Sequence, residues 1–198
     1  MTAVVDYNAG NVFSVLCALE RLGEKAEVTS DRERILSADR VIFPGVGYAV
    51  SAMEELEKRG LADVLTSVKR PFLGICLGMQ LMCSFSEEGN TGMLSIVDAD
   101  VRRFDPSICP KIPHIGWNTA YDLKGPLFEG IKDGSYFFFD HSYYVPLLGR
   151  TTSAVTSYYG FGYTSALERD NFFGVQFHPE KSGKAGSILL ENFLNMEI

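Results

Sequence analysis

In the first half of the chain, apolar residues alternate between short unbroken runs and stretches spaced three and four residues apart. "TAVVD" (2–6) is one such run, ended by the turn-forming "YNAGN". Val12, Val15, Leu16, Leu19 and Leu22 then fall on one helical face, which Gly23 terminates. "AEVT" (26–29) and "RVIFPG" (40–45) predict further strands, the second cut off by Pro44-Gly45. "AVSAMEELEKRG" (49–60) and "LADVLTSVKR" (61–70) predict helices, "PFLGIC" (71–76) a strand, and "LGMQLMCSF" (77–85) a helix. Strands separated by helices of this length pair in parallel through right-handed crossovers.

The second half has a different texture. From about residue 92 to 177 it is rich in aromatic and β-branched residues, as in "SYFFFDHSYYV" (135–145) and "NFFGVQF" (171–177). Gly, Pro and Asn interrupt it often, which predicts shorter strands, many of them antiparallel. A last helix over 185–196 offers Ile188, Leu189, Phe193 and Met196 to the core. No repeat or linker divides the chain. The expected fold is therefore α/β: one domain over residues 1–198, with an open, mostly parallel central sheet flanked by helices and extra antiparallel strands in the second half.

Composition narrows the function classes. With 198 residues, 46% hydrophobic and 22% charged, the chain can bury a core without disulfide staples. A net charge of −7 and no basic cluster argue against nucleic acid. The N-terminus lacks the basic flank and long apolar stretch of a signal peptide, and no apolar run reaches membrane-spanning length. Cys17, Cys76, Cys83 and Cys109 are unevenly spaced, so free thiols and a reducing cytoplasm are expected. There is no Cys-x-x-Cys pair, the three histidines are not at metal-ligand spacing, and neither "PGVG" (44–47) nor "SGKAGS" (182–187) completes a phosphate loop. No metal and no cofactor are expected.

Functional groups of an open α/β sheet gather at the carboxyl ends of its strands. Three segments end strands there: "FPGVG" (43–47), "LGICLG" (73–78) and "VQFHPE" (175–180). Gly-Ile-Cys-Leu-Gly has the small-x-nucleophile-x-small form of a nucleophile elbow. Cys76 is either that nucleophile, at a helix start that favours the thiolate, or a small buried hydrophobe. Cys83 fits the buried reading, on the same predicted helix. His178 is either a core residue or a base oriented by Glu180 two residues on, the nucleophile–base–orienter arrangement of a triad. "PGVG" is either a plain turn or a backbone donor loop. In the second case the amide of Leu77 supplies one oxyanion donor and Val46 or Gly47 the other.

Taken together, Gly74-x-Cys76-x-Gly78-x-Gln80, "FHPE" (177–180) and "PGVG" resemble the motifs of class I, triad-type glutamine amidotransferases. Within that family, "DYNAGN" (6–11), "GICLGMQLM", "PHIGWN" (113–118), "HSYYV" (141–145) and "FHPEKS" (177–182) are similar, in order, to the glutaminase subunits of imidazole glycerol phosphate synthases. The resemblance implies a Cys76–His178–Glu180 triad that hydrolyses glutamine through a γ-glutamyl thioester. It implies that Gln80 and Glu88 hold the amino-acid end of the substrate, with Gly47, Ser142 and Tyr143 completing the pocket. It also implies a heterodimer with a (β/α)8-barrel cyclase subunit that receives the ammonia. Asn11, Pro113, His114, Trp117, Asn118 and Lys181 would lie at or near that interface, Trp117 as either an anchor or a core filler. Tyr48, Asp98 and Asp140 depart from the family's usual pattern. A paralogous amidotransferase feeding a different synthase, such as one for surface sugars, would share the triad and differ in its partner.

Overall fold

The computed structural model describes residues 1–8 and 11–196; Ala9 and Gly10 of the "DYNAGN" segment lie outside the described residues. The first half runs β1 (Thr2–Val5), α1 (Val12–Arg21), β2 (Ala26–Thr29), α2 (Arg32–Ser37), β3 (Arg40–Gly45), α3 (Ala49–Lys58), α4 (Ala62–Thr66), β4 (Phe72–Cys76) and α5 (Leu77–Leu81). There follow β5 (Cys83–Ser86), β6 (Thr91–Gly92), β7 (Val97–Arg103), β8 (His114–Ala120), β9 (Ser135–His141) and β10 (Tyr143–Tyr144). The chain closes with β11 (Thr152–Tyr158), β12 (Phe161–Arg169), β13 (Phe172–Val175) and α6 (Gly183–Leu194).

A seven-stranded sheet in the order β11-β12-β13-β4-β3-β1-β2 forms the centre. Its five strands from β13 to β2 are parallel, and β12 and β11 extend it antiparallel. Because side chains alternate across a sheet, Ala3, Val5, Val41, Phe43 and Phe72 enter one core, while Val4, Ile42, Leu73 and Ile75 enter the other. Helices α2, α3, α4 and α5 cover the first face. On the second, α1 contributes Val15, Ala18 and Leu19, and α6 contributes Leu189, Leu190 and Phe193. The mostly parallel sheet between helix layers agrees with the expected fold.

The second half departs from the single sheet in an informative way. Only β11, β12 and β13 join the centre; the other strands form a four-stranded sheet, β10-β7-β5-β6, and a two-stranded ribbon, β8-β9. The helix expected over 77–85 stops at Leu81. The carbonyls of Leu81, Met82 and Cys83 instead accept from the amides of Leu94, Val97 and Ser95, so tertiary pairing ends the helix. Cys83 therefore starts a strand rather than sharing a helix with Cys76. It is nevertheless fully buried, and burial pushes its thiol up to about 12. The helix expected over 61–70 is confined to 62–66. A short helix over 32–37, capped by Asp31, has one buried residue, Ile35, too few for an amphipathic pattern. In α6 Leu190 is buried, whereas Ile188 is only partly so.

Candidate active site

The register of the central strands brings the three predicted segments to one level. Gly45 of β3 faces Cys76 of β4, and Ile75 faces Val175 of β13, so Gln176 and His178 emerge beside the cysteine. Cys76 itself has φ of 54° and ψ of −110°, a backbone conformation that L-residues avoid and that functional sites retain. The flanking glycines make this turn possible by close approach. A Cβ on Gly78 would lie 1.9 Å from the Phe43 carbonyl oxygen, and one on Gly74 would lie 2.6 Å from Met82 Sδ. The strand can therefore turn into α5 directly against β3, with the sulfur at the mouth of the turn.

His178 is stitched to the neighbouring ribbon. Its amide donates to the Phe138 carbonyl at 2.8 Å, and Ser182 Oγ both donates to the His178 carbonyl and accepts from the Phe138 amide. The ring's Nδ1 donates to Glu180 Oε1 at 2.8 Å, leaving Nε2 for the sulfur. Glu180 is buried, and among the described residues its other oxygen has no hydrogen-bond partner, so its charge acts mainly on the ring. Burial works against a charged imidazole. Hydrogen bonding to the Cys76 sulfur and Glu180, together with their negative charge, outweighs it and pushes His178 from 6.5 up to about 10.

That shift has a sign. A group whose folded value is raised contributes stability that is fully present below its unfolded value and lost as pH rises through the folded one. His178 should therefore stabilise the fold below pH 6.5 and cease to do so by about pH 10. Glu180→Gln removes one of the two charges that hold the proton. In urea melts across that range, its loss of stability should be smaller than the parent's and should level off at lower pH. Superimposable profiles would contradict the pairing.

A cleft of about 260 Å³ opens beside the sulfur. It is smaller than sites for drug-sized ligands, roughly 300–1,000 Å³, and suits an amino acid. Cys76 and His178 line it together with Val46, Gly47, Leu77, Gln80, Glu88, Ser142 and Tyr143, so every predicted oxyanion and substrate residue reaches it. Glu88 Oε2 accepts from the Ala49 amide at 2.7 Å at the start of α3, where Tyr48 provides no side-chain cap. Burial raises the Glu88 carboxyl and this bond offsets it in part.

Two features were not singled out in the sequence. Gln176 is fully buried and contacts both Gln80 and Cys76. Its position two residues before His178, on the same side of an extended chain, was the available signal. Beside the cleft, His114, His141 and Tyr163 form a buried cluster with ring and hydroxyl atoms 3.1–3.3 Å apart. Burial lowers His114 to about 4 and His141 to about 3, so both rings are neutral at pH 7.

A strained cysteine, a carboxylate-backed histidine and an amino-acid-sized cleft meet at one sheet edge. Residues 3–196 match the family model for glutamine amidotransferase class-I. The chain belongs to the class-I glutamine amidotransferase family. The imidazole glycerol phosphate synthase subunit HisH of Bacteroides fragilis is 51% identical over 195 residues, 98% of each chain. The subunit of that name from Escherichia coli K12 is 45% identical over 98% of each chain. A crystal structure of a glutamine amidotransferase aligns with a TM-score of 0.74 at 18% identity, covering 97% of this chain and 96% of that one.

The residues expected near a partner of this amidotransferase divide into two groups. Pro113 and Lys181 line the cleft, and Trp117 stands 55% exposed on the outer face of the β8-β9 ribbon. That exposure excludes Trp117 as a core filler. Ile115 and Tyr136 are exposed on the same face, Trp117 packs edge-on against Phe138, and Lys181 Nζ sits 5.6 Å over the Phe138 ring. The others are half-buried or buried and bonded within the chain. Asn11 caps α1 by accepting from the Ser14 amide, and Asn118 donates to the Ser157 carbonyl. His114 is buried beneath the ribbon, stacked between Phe139 and Tyr158, and is not on its surface.

Proposed function

We propose that this amidotransferase is the glutaminase subunit of an imidazole glycerol phosphate synthase, acting in histidine biosynthesis in the cytoplasm. It would release ammonia from glutamine for a (β/α)8-barrel cyclase subunit. The reading rests on the Cys76 elbow beside a charged His178–Glu180 pair, taken with the 51% identity to HisH of B. fragilis over nearly the whole chain.

Each residue's role follows from its chemistry. The Cys76 sulfur attacks the side-chain carboxamide carbon of glutamine, forming a C–S bond. The oxygen gathers negative charge beside the amides of Leu77 and of the Val46–Gly47 segment. His178, already protonated, gives its proton to the departing nitrogen as the C–N bond breaks and ammonia leaves. In the resulting γ-glutamyl thioester the sulfur is neutral. The ring has then lost one of the two charges that raised it, while burial still opposes its proton. His178 can now take a proton from water as the water attacks the thioester, releasing glutamate and restoring the thiolate–imidazolium pair. Glu180 holds the ring's Nδ1–H throughout. Glu88 and Gln80 supply polar groups for the amino-acid end.

The ribbon face with Trp117, Ile115 and Tyr136 gives the cyclase an apolar surface beside the cleft. Supplying purified cyclase barrel and its nucleotide substrate should raise glutamine turnover strongly and yield imidazole glycerol phosphate with glutamine as nitrogen donor. Trp117→Ala should weaken that association about thirtyfold, the effect of losing a ~2 kcal/mol aromatic anchor. It should leave glutaminase activity of the isolated subunit intact. No product with the barrel, or an unchanged titration for Trp117→Ala, would direct the search to another synthase or another face.

A further inference from the structure

We infer that Gln176, held in a single orientation by Gln80, is a positioning residue whose side-chain N–H supports the anionic form of the Cys76 sulfur. The inference rests on Cys76 being the nucleophile. It concerns a residue that belongs to neither the triad nor the expected substrate set.

Hydrogen-bond polarity fixes the arrangement. The Tyr143 carbonyl can only accept, and it receives Gln80 Nε2 at 3.0 Å. Gln80 Nε2 also donates to Gln176 Oε1 at 2.8 Å. The Gln176 amide has one oxygen, so its NH₂ must point the other way, and Nε2 lies 3.6 Å from Cys76 Sγ. A backbone carbonyl on β10 thus determines which end of a buried amide meets the sulfur. The Tyr143 carbonyl is itself held, since His141 Nδ1 donates to it at 2.7 Å. The thiol form has a different partner, the Asp140 carbonyl at 3.8 Å, which could not stabilise an anion. Gln176 is fully buried, so water does not compete for its N–H.

Other titratable groups also face the sulfur. His178, backed by Glu180, follows β13, Tyr7 follows β1, and Tyr163 lies on β12. Asp140 and His141 end β9, and Glu88 and Lys181 line the same cleft. None changes when Gln176 is replaced, so a comparison of variants isolates the amide.

The test is the pH dependence of Cys76 alkylation by iodoacetamide in the folded protein, followed by peptide mass mapping. Gln176→Met keeps the side chain's length and removes the donor. Its alkylation midpoint should rise by about one pH unit, with about tenfold slower alkylation below the midpoint, the scale of one hydrogen bond to a charged group. The rate at high pH, where the thiol is fully ionised, should be unchanged. Gln80→Met frees the Gln176 amide to turn and should move the midpoint in the same direction. In the unaltered protein, the Gln176 side-chain amide proton resonances should titrate with that midpoint, and should not do so in Cys76→Ala. An unmoved midpoint in either folded variant, or resonances blind to the titration, overturns the inference while leaving the triad intact. Glutamine turnover surviving in Cys76→Ala would instead overturn the nucleophile assignment on which it rests.

Discussion

Cys76→Ala and Cys76→Ser are expected to lower glutamine turnover by about 10⁴-fold or more, because residues that act as a unit fail together when one is removed. Serine is no substitute. Its hydroxyl stays protonated where a thiol ionises, and the site supports an ion pair with His178 that serine cannot form. The fold should survive both changes. Alanine and serine meet the same φ of 54° that cysteine already occupies, so no new backbone strain is added. Melting temperatures close to the parent's with no ammonia release are the expected result, measured by calorimetry and a coupled glutamate assay. A variant that melts far below the parent would mean that the cysteine's place at the turn is structural.

Gly78→Ala should act through the fold rather than the chemistry. The added methyl would meet the Phe43 carbonyl oxygen at 1.9 Å, and that oxygen belongs to a central strand with no room to retreat. Helix α5 must move off β3 instead, opening a packed core that includes Leu77, Met79 and Leu81. A cost of about 3 kcal/mol or more is expected, at the upper end of overpacking effects. Because α5 begins at Cys76, the same displacement draws the sulfur away from His178, and activity should fall in whatever fraction remains folded. Gly92→Ala is the control. Its Cβ would meet nothing within 4 Å, and its stability should match the parent to within about 0.5 kcal/mol.

These two expectations rest on features of unequal legibility in the sequence. The elbow could be read directly, because a cysteine bracketed by glycines at a strand end has few other uses. His178 and Glu180 could also be read, since Pro179 closes the strand and a two-residue spacing brings carboxylate and ring together. Strands β1 to β4 and helix α1 were legible because each carries its own periodicity. What was hidden depended on distant partners. Helix α5 is short because the carbonyls of its last residue and of the next two are claimed by the 94–97 segment, which no local pattern announces. The second-half strands were predicted by composition, but composition does not say which sheet a strand joins. His114 sits in a motif that suggested an outer surface; its register opposite His141 turns it inward. Gln176 looked like one more polar residue at a strand end until its neighbours across the sheet fixed its amide.

In the proposed mechanism glutamine becomes covalently attached to the Cys76 sulfur. Acid-quenching the protein during turnover of radiolabelled glutamine, then mapping the label by peptide digestion, tests it directly. Label should appear on the peptide bearing Cys76 alone, be lost on treatment with hydroxylamine and never form in Cys76→Ala. Turnover with no label on that peptide, or label on Cys17, Cys83 or Cys109 instead, would contradict it.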